Sequence, residues 1–188
     1  MRIIAGNWKG HILKTVKGLK TRPTADKVKG AIFNILGSKV NDAEVLDLFA
    51  GTGNLSFEAL SRGAKNAVLV EKDSSAVQTI KKNIELLNAV EKVKLWKMDA
   101  YTFLHEHGSQ NKYDLIFIDP PYYQGLAPKV LEYLKHKSVL STNGVIVVET
   151  AADEVLPEDI YPLELRVVKE YGSTKIWFIQ QVQKTEEG

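Results

Sequence analysis

Asp119-Pro120-Pro121-Tyr122 closes the apolar run Tyr113–Ile118. Two consecutive prolines supply no N–H and hold φ near −65°, so a strand has to end there. The strand gives way to a rigid loop whose carbonyl oxygens can point at a ligand, beside a carboxylate and a flat ring. Such a set can hold a planar amine edge-on, with Asp119 and a fixed carbonyl accepting its protons and Tyr122 stacking on its plane. The same four residues also describe a plain strand-terminating turn, with Asp119 as the turn former and Tyr122 as a half-buried aromatic.

Three more sites fall at strand ends. Asp47-Leu48-Phe49-Ala50-Gly51-Thr52-Gly53-Asn54 lies where a first strand turns into a helix. Gly51 and Gly53 let backbone approach a ligand closely, and the helix N-terminus beyond offers unpaired N–H groups. Ser56 stands where a dinucleotide fingerprint has its third glycine, so a tight structural turn is the other reading. Glu71, 18 residues after Gly53, can accept both hydroxyls of a ribose, or it belongs with Lys72 and Asp73 to a charged loop. Asp99 can accept the exocyclic amino group of an adenine, or it caps the helix that begins near Ala100. Turns, caps and loops rarely place the residue types of a nucleoside site at four successive strand ends. We read the four as one site.

Positioning them requires an alternation of strands and helices. Strands are expected at 44–49, 66–71, 92–97, 113–118 and 144–149. Helices follow the first at about 54–62, the second at 74–87, the third at 100–107 and the fourth at 127–135. Helical crossovers imply a parallel sheet covered on both faces. Leu163–Tyr171 and Thr174–Gln181, joined by Gly172-Ser173, add an antiparallel hairpin at the end. Before the sheet, 25–36 reads as a helix with Val28, Ala31, Ile32, Ile35 and Leu36 on one face, Thr24 as N-cap and Gly37 as its stop. Residues 2–5 and 11–16 read as two short strands of a hairpin, with Trp8 at its tip as a packing residue or a stacking platform. The division expected is a basic hairpin extension over 1–20, one α/β domain over 21–182 and a frayed tail over 183–188.

Composition narrows the function classes. The 188 residues are 44% hydrophobic and 26% charged, which suits one soluble domain with a single large core. The absence of cysteine excludes disulfides, a thiolate nucleophile and cysteine-ligated zinc, and fits a reducing, cytoplasmic setting. The four histidines have no metal-ligand spacing, no apolar run is long enough for a membrane helix, and no signal-peptide pattern is present. Net charge is +2, but residues 1–30 hold eight Lys or Arg against one acid. That distribution points to a polyanionic partner or to a solvated lysine-rich face.

Taken together, the glycine loop, the acids after strands two and three and the D-P-P-Y loop resemble the class I S-adenosylmethionine-dependent methyltransferases. More narrowly, R-I-I-A-G-N-W-K-G (2–10), R-P-T-A-D-K-V-K-G-A-I-F-N-I-L (22–36), V-L-D-L-F-A-G-T-G (45–53) and D-P-P-Y (119–122) are similar to the RsmD-type 16S ribosomal RNA guanine-N2 methyltransferases. The resemblance implies a Rossmann-like, mostly parallel seven-stranded sheet with an antiparallel C-terminal hairpin and a short N-terminal hairpin extension. It implies S-adenosylmethionine bound by Asp47, Phe49, Gly51, Gly53, Glu71, Asp99, Ala100 and Asp119, and released as S-adenosylhomocysteine, with no metal. Catalysis would fall to Asp119, Pro120, Pro121 and Tyr122. Arg2, Lys9, Lys14, Lys17, Lys20 and Arg22 would contact 16S ribosomal RNA or the assembling small subunit, the protein acting as a monomer. One departure is Gly30, where the family usually has an acid. Rival readings are an amine methyltransferase acting on adenine or a glutamine amide, an NAD-dependent oxidoreductase, and a catalytically silent RNA-binding domain.

Overall fold

Seven strands form one sheet in the order β3-β2-β1-β4-β5-β7-β6. They are β1 (Glu44–Asp47), β2 (Asn66–Glu71), β3 (Val93–Lys97), β4 (Tyr113–Ile118), β5 (Leu140–Ala151), β6 (Leu163–Tyr171) and β7 (Thr174–Gln181). The first five run parallel, and β7 pairs antiparallel with both β5 and β6. This computed structural model describes residues 1–16 and 23–183. Lys17, Lys20, Arg22, the expected boundary at 20/21 and nearly all of the expected tail lie outside the described residues. The first helix begins at Pro23, so Thr24, expected as its N-cap, lies inside it.

Alternation along the strands builds a core on each face. Leu115 and Phe117 of β4 join one with α1 (Pro23–Leu36), α2 (Asn54–Ser61) and α3 (Ser74–Leu86). Ile116 and Ile118 join the other with α4 (Ala100–His107) and α5 (Leu126–His136). On α1 the buried stripe is Val28, Ile32, Phe33 and Leu36, while Ile35 is turned outward. Phe33 wins the core position because its ring packs on Phe117, with centroids 6.0 Å apart. Among the described residues a Cβ at Gly30 would meet only Ile4 Cδ1, at 3.9 Å, so a side chain has room there.

Two expectations need correction. The N-terminal hairpin contains one antiparallel bridge, Arg2 with Ile12, rather than two strands. Its ladder stops because the N–H groups of Ile4 and Ala5 donate to the Glu58 carboxylate, at 2.8 and 3.1 Å. The Ala5 carbonyl accepts from Ser61 Oγ at 2.6 Å. A segment satisfied by side chains of α2 does not need a partner strand. Ile3 and Leu13 are buried, and Trp8 packs against the same core. The second correction is β5, which runs over twelve residues. Leu140 pairs with Tyr113 before the register slips, and Ala151 pairs with Thr174 at the other end. Gly144 sits at that slip, where a Cβ would lie 2.6 Å from Leu140 Cδ1.

Candidate active site

The sheet order reverses at β1, which has β2 on one side and β4 on the other. Ligands of open parallel sheets bind at such a point, beyond the carboxyl ends of the strands. Here it opens into a cavity of about 610 Å³. Asp47, Phe49 and Gly51 line it after β1, Glu71 closes β2, Asp99 and Ala100 follow β3, and Asp119 through Tyr122 follow β4. Gly53 is not part of the lining. It takes φ 78° ahead of α2, and a Cβ there would lie 2.4 Å from the Phe57 ring. Gly53 shapes the loop rather than touching its contents.

Asp47 is 2% exposed. Ser56 Oγ donates to it at 2.7 Å, and the main-chain N–H groups of Phe49 and Ser56 point to the same carboxyl. Burial nevertheless pushes it up to about 7, with Glu71 adding repulsion. Ser56, the missing third glycine of the fingerprint, therefore has a task of its own. Glu71 uses both oxygens on backbone: Oε2 accepts from Gly51 N and Oε1 from Asp73 N, each at 2.8 Å. It ties the glycine loop to β2, and each oxygen keeps a second lone pair. Asp73, read as loop charge, caps α3 by accepting from Ser75 N and Ala76 N. Asp99 caps α4 through Oδ1, which accepts from Tyr101 N and Thr102 N. The cap uses one oxygen and leaves the other for a ligand, so the two readings of Asp99 are compatible.

At the loop after β4, Asp119 is recessed in the cavity while its side chain remains open to solvent through the mouth. Desolvation, then Glu149, then Asp47 hold its carboxyl well above the usual carboxylate range. The Tyr122 hydroxyl donates to Glu149 Oε1 at 2.8 Å and lies 3.2 Å from Thr174 Oγ1. Burial foremost keeps that phenol protonated, and hence a donor. Glu149 is itself pushed up by burial, which the Tyr122 bond opposes. Sequence reasoning missed Glu149 and Thr174, although Glu149 closes the apolar run 144–149 just as Glu71 closes 66–71. Asp47, Asp119 and Glu149 thus make an acidic floor, suited to a ligand that carries positive charge. Among the described residues, no group of three or more His, Asp or Glu is arranged to hold a metal ion.

The basic segment divides. Lys9 and Lys14 are exposed, and Arg2 pairs loosely with Asp26 at 3.5 Å. Lys14 is anchored through its backbone, since Asn83 Oδ1 accepts from Lys14 N at 2.7 Å. The same Asn83 amide donates to Thr52 O at 3.0 Å. Lys29, counted with the basic residues of 1–30, is 1% exposed and belongs to the interior. Its Nζ donates to Arg2 O and Asn54 Oδ1 at 2.6 and 2.7 Å and pairs with buried Glu58 at 3.3 Å. Desolvation lowers its pKa, and Glu58 opposes that shift.

Residues 1–180 match the family described as Conserved hypothetical protein 95. A Haemophilus influenzae protein named Ribosomal RNA small subunit methyltransferase D is 38% identical over 157 residues, covering 83% of this chain and 81% of that protein. The Escherichia coli (strain K12) protein of the same name is 36% identical, over 84% of this chain and 78% of its own length. The solved structure of Escherichia coli yhhF has a TM-score of 0.86 at 34% identity, covering 96% of this chain and 97% of that one. With its class I methyltransferase fold, this chain belongs to the family of the ribosomal RNA small subunit methyltransferase D proteins.

Proposed function

We propose that this protein transfers a methyl group from S-adenosylmethionine to the exocyclic N2 amine of one guanine in 16S ribosomal RNA. It would act in the cytoplasm, as a monomer, on the RNA or on the assembling small subunit. The observation that carries the reading is the position of Asp119: a solvent-reachable carboxyl after β4, in one cavity with Glu71 and Asp99 from neighbouring strand ends. The names of the relatives support ribosomal RNA of the small subunit as the substrate.

The cavity residues fit the cofactor by charge and by reach. Its amino-acid end carries an ammonium group, which suits the glycine loop and the uncompensated Asp47. The ribose hydroxyls suit the remaining lone pairs of Glu71, and the adenine amine suits the second oxygen of Asp99. When bound, S-adenosylmethionine supplies a methyl group on a cationic sulfur, and the electron pair of the broken C–S bond stays on that sulfur as the N–C bond forms.

The protein's own contribution lies with the target amine. A guanine N2 lone pair is delocalised into the ring, so the nitrogen must become pyramidal to attack. Asp119 and the Pro120 carbonyl accept its two protons and favour that geometry, a fixed electrostatic arrangement of the kind found in oxyanion sites. As positive charge develops on nitrogen, Asp119 takes the released proton, and the burial and neighbouring Glu149 that raise its pKa make it a stronger base for that step. Tyr122, held by Glu149 and Thr174, offers its ring to the base, which must leave its stack to enter. Orientation supplies much of the rest, worth roughly 7–11 kcal/mol in model reactions. Arg2, Lys9 and Lys14, with Lys17, Lys20 and Arg22, would follow the phosphate backbone.

Small subunits from cells lacking this protein provide the test. Incubated with purified protein and methyl-labelled cofactor, they should gain one N2-methylguanine in 16S RNA. Label on adenine or on protein would overturn the reading.

A further inference from the structure

Glu149 lies two residues before the end of β5 and lines the same cavity as Asp119. Among the described residues only Oε1 is used, by the Tyr122 hydroxyl at 2.8 Å, and Oε2 accepts no hydrogen bond. Burial pushes the Glu149 carboxyl up, and the Tyr122 bond opposes that shift by favouring the ionised form. Once ionised, the carboxylate can accept but not donate. Purines that could enter this cavity differ in what flanks the reactive amine. Guanine has N1–H, a donor, beside its N2 amine. Adenine has the N1 lone pair beside its N6 amine, and 2-aminopurine keeps the 2-amine of guanine but presents a lone pair at N1. An acceptor-only group placed next to the amine site favours the first of these and repels the other two.

We propose that Glu149 is the specificity-determining residue of this site, its free carboxylate oxygen accepting the N1–H of the target guanine while Asp119 and Pro120 hold the adjacent N2 amine. This rests on guanine N2 as the methylated atom. Glu149 then has two tasks: Oε1 fixes the Tyr122 ring and Oε2 reads the base. The N1–H is the feature that separates guanine from the amine-bearing alternatives, and a site built to pair with it penalises an analogue lacking it, because a buried acceptor is left facing a lone pair.

The test compares single-turnover methyl transfer to reconstituted small subunits carrying guanine or 2-aminopurine at the mapped target position. The parent protein should favour guanine by at least about tenfold. Glu149→Gln keeps an acceptor for the Tyr122 hydroxyl but turns an amide N–H₂ toward N1. Transfer to guanine should fall about ten- to a hundredfold while transfer to 2-aminopurine holds or rises, so that the preference collapses. Equal rates of the parent on the two bases would overturn the inference while leaving the methyl-transfer reading intact. So would a Glu149→Gln protein that slows both equally, since Glu149 would then serve only to hold Tyr122. No transfer by the parent to guanine would overturn the reaction itself, and the inference with it.

Discussion

Replacing Asp47 by Asn should make the protein lose less stability as pH rises from about 5 to neutrality, while weakening its hold on the cofactor. In the fold the Asp47 carboxyl is raised from 3.8 to about 7 by burial. Between those values the folded protein holds a proton that the unfolded chain has released, so stability falls as pH rises through this window. Each pH unit across it costs about 1.4 kcal/mol. From about pH 5 to about pH 7 the parent should therefore lose about 3 kcal/mol through Asp47 alone. Asp119 and Glu149 are raised as well and act with the same sign. The difference between parent and Asp47→Asn isolates the single group. Urea unfolding at a series of pH values measures it, and the gap between the two proteins should widen by about 3 kcal/mol from about pH 5 to about pH 8. A ligand ammonium beside Asp47 would pull its pKa back down. Cofactor binding by the parent should then release a proton near neutrality, readable by calorimetry in buffers of different ionisation enthalpy, and Asp47→Asn should release none from this position. Parallel stability curves for the two proteins would mean that Asp47 does not titrate in this window.

Other perturbations separate the parts of the site. Asp99→Ser keeps a cap for α4 but withdraws the carboxylate, so calorimetry should show cofactor affinity lower by roughly 1.5–3 kcal/mol. Unchanged affinity would remove Asp99 from the adenine site. Gly53→Ala combines a left-handed φ of 78° with a 2.4 Å approach to Phe57, and thermal unfolding should show a loss of roughly 1–3 kcal/mol. Neutralising Arg2, Lys9 and Lys14 together should flatten the slope of log RNA affinity against log salt by up to about 2 units without moving the methylated nucleotide. An unchanged slope would make them a solvated face.

The alternation of elements was legible because β2, β4 and most of β5 are apolar runs, β3 and β6 alternate apolar with polar residues, and the helices between them show their stripes. The acids at the strand ends were legible for the same reason. What lay hidden is where one side chain serves two structures. Nothing local in Glu58 reveals that it accepts from Ile4 and Ala5, 54 and 53 positions away in the chain, and thereby shortens the hairpin. Lys29 counts as surface charge in any tally, yet Arg2 O, Asn54 and Glu58 converge on it in the interior. Ser56 looked like a flaw in a fingerprint until Asp47 was found beneath it. Glu149 is placed beside Tyr122 by the pairing of β4 with β5, which fixes no local signature. Asp99 could be read as a cap or as a ligand group, and the structure has room for both because a carboxylate has two oxygens.

The central claim is that the loop beginning at Asp119 methylates a guanine at N2. Nucleoside mapping of 16S ribosomal RNA tests it in cells with this protein, without it, and with Asp119→Ala supplied at equal level. One N2-methylguanosine should be present in the first, missing in the second and still missing in the third. Its persistence without the protein, or its full return with Asp119→Ala, would contradict the account.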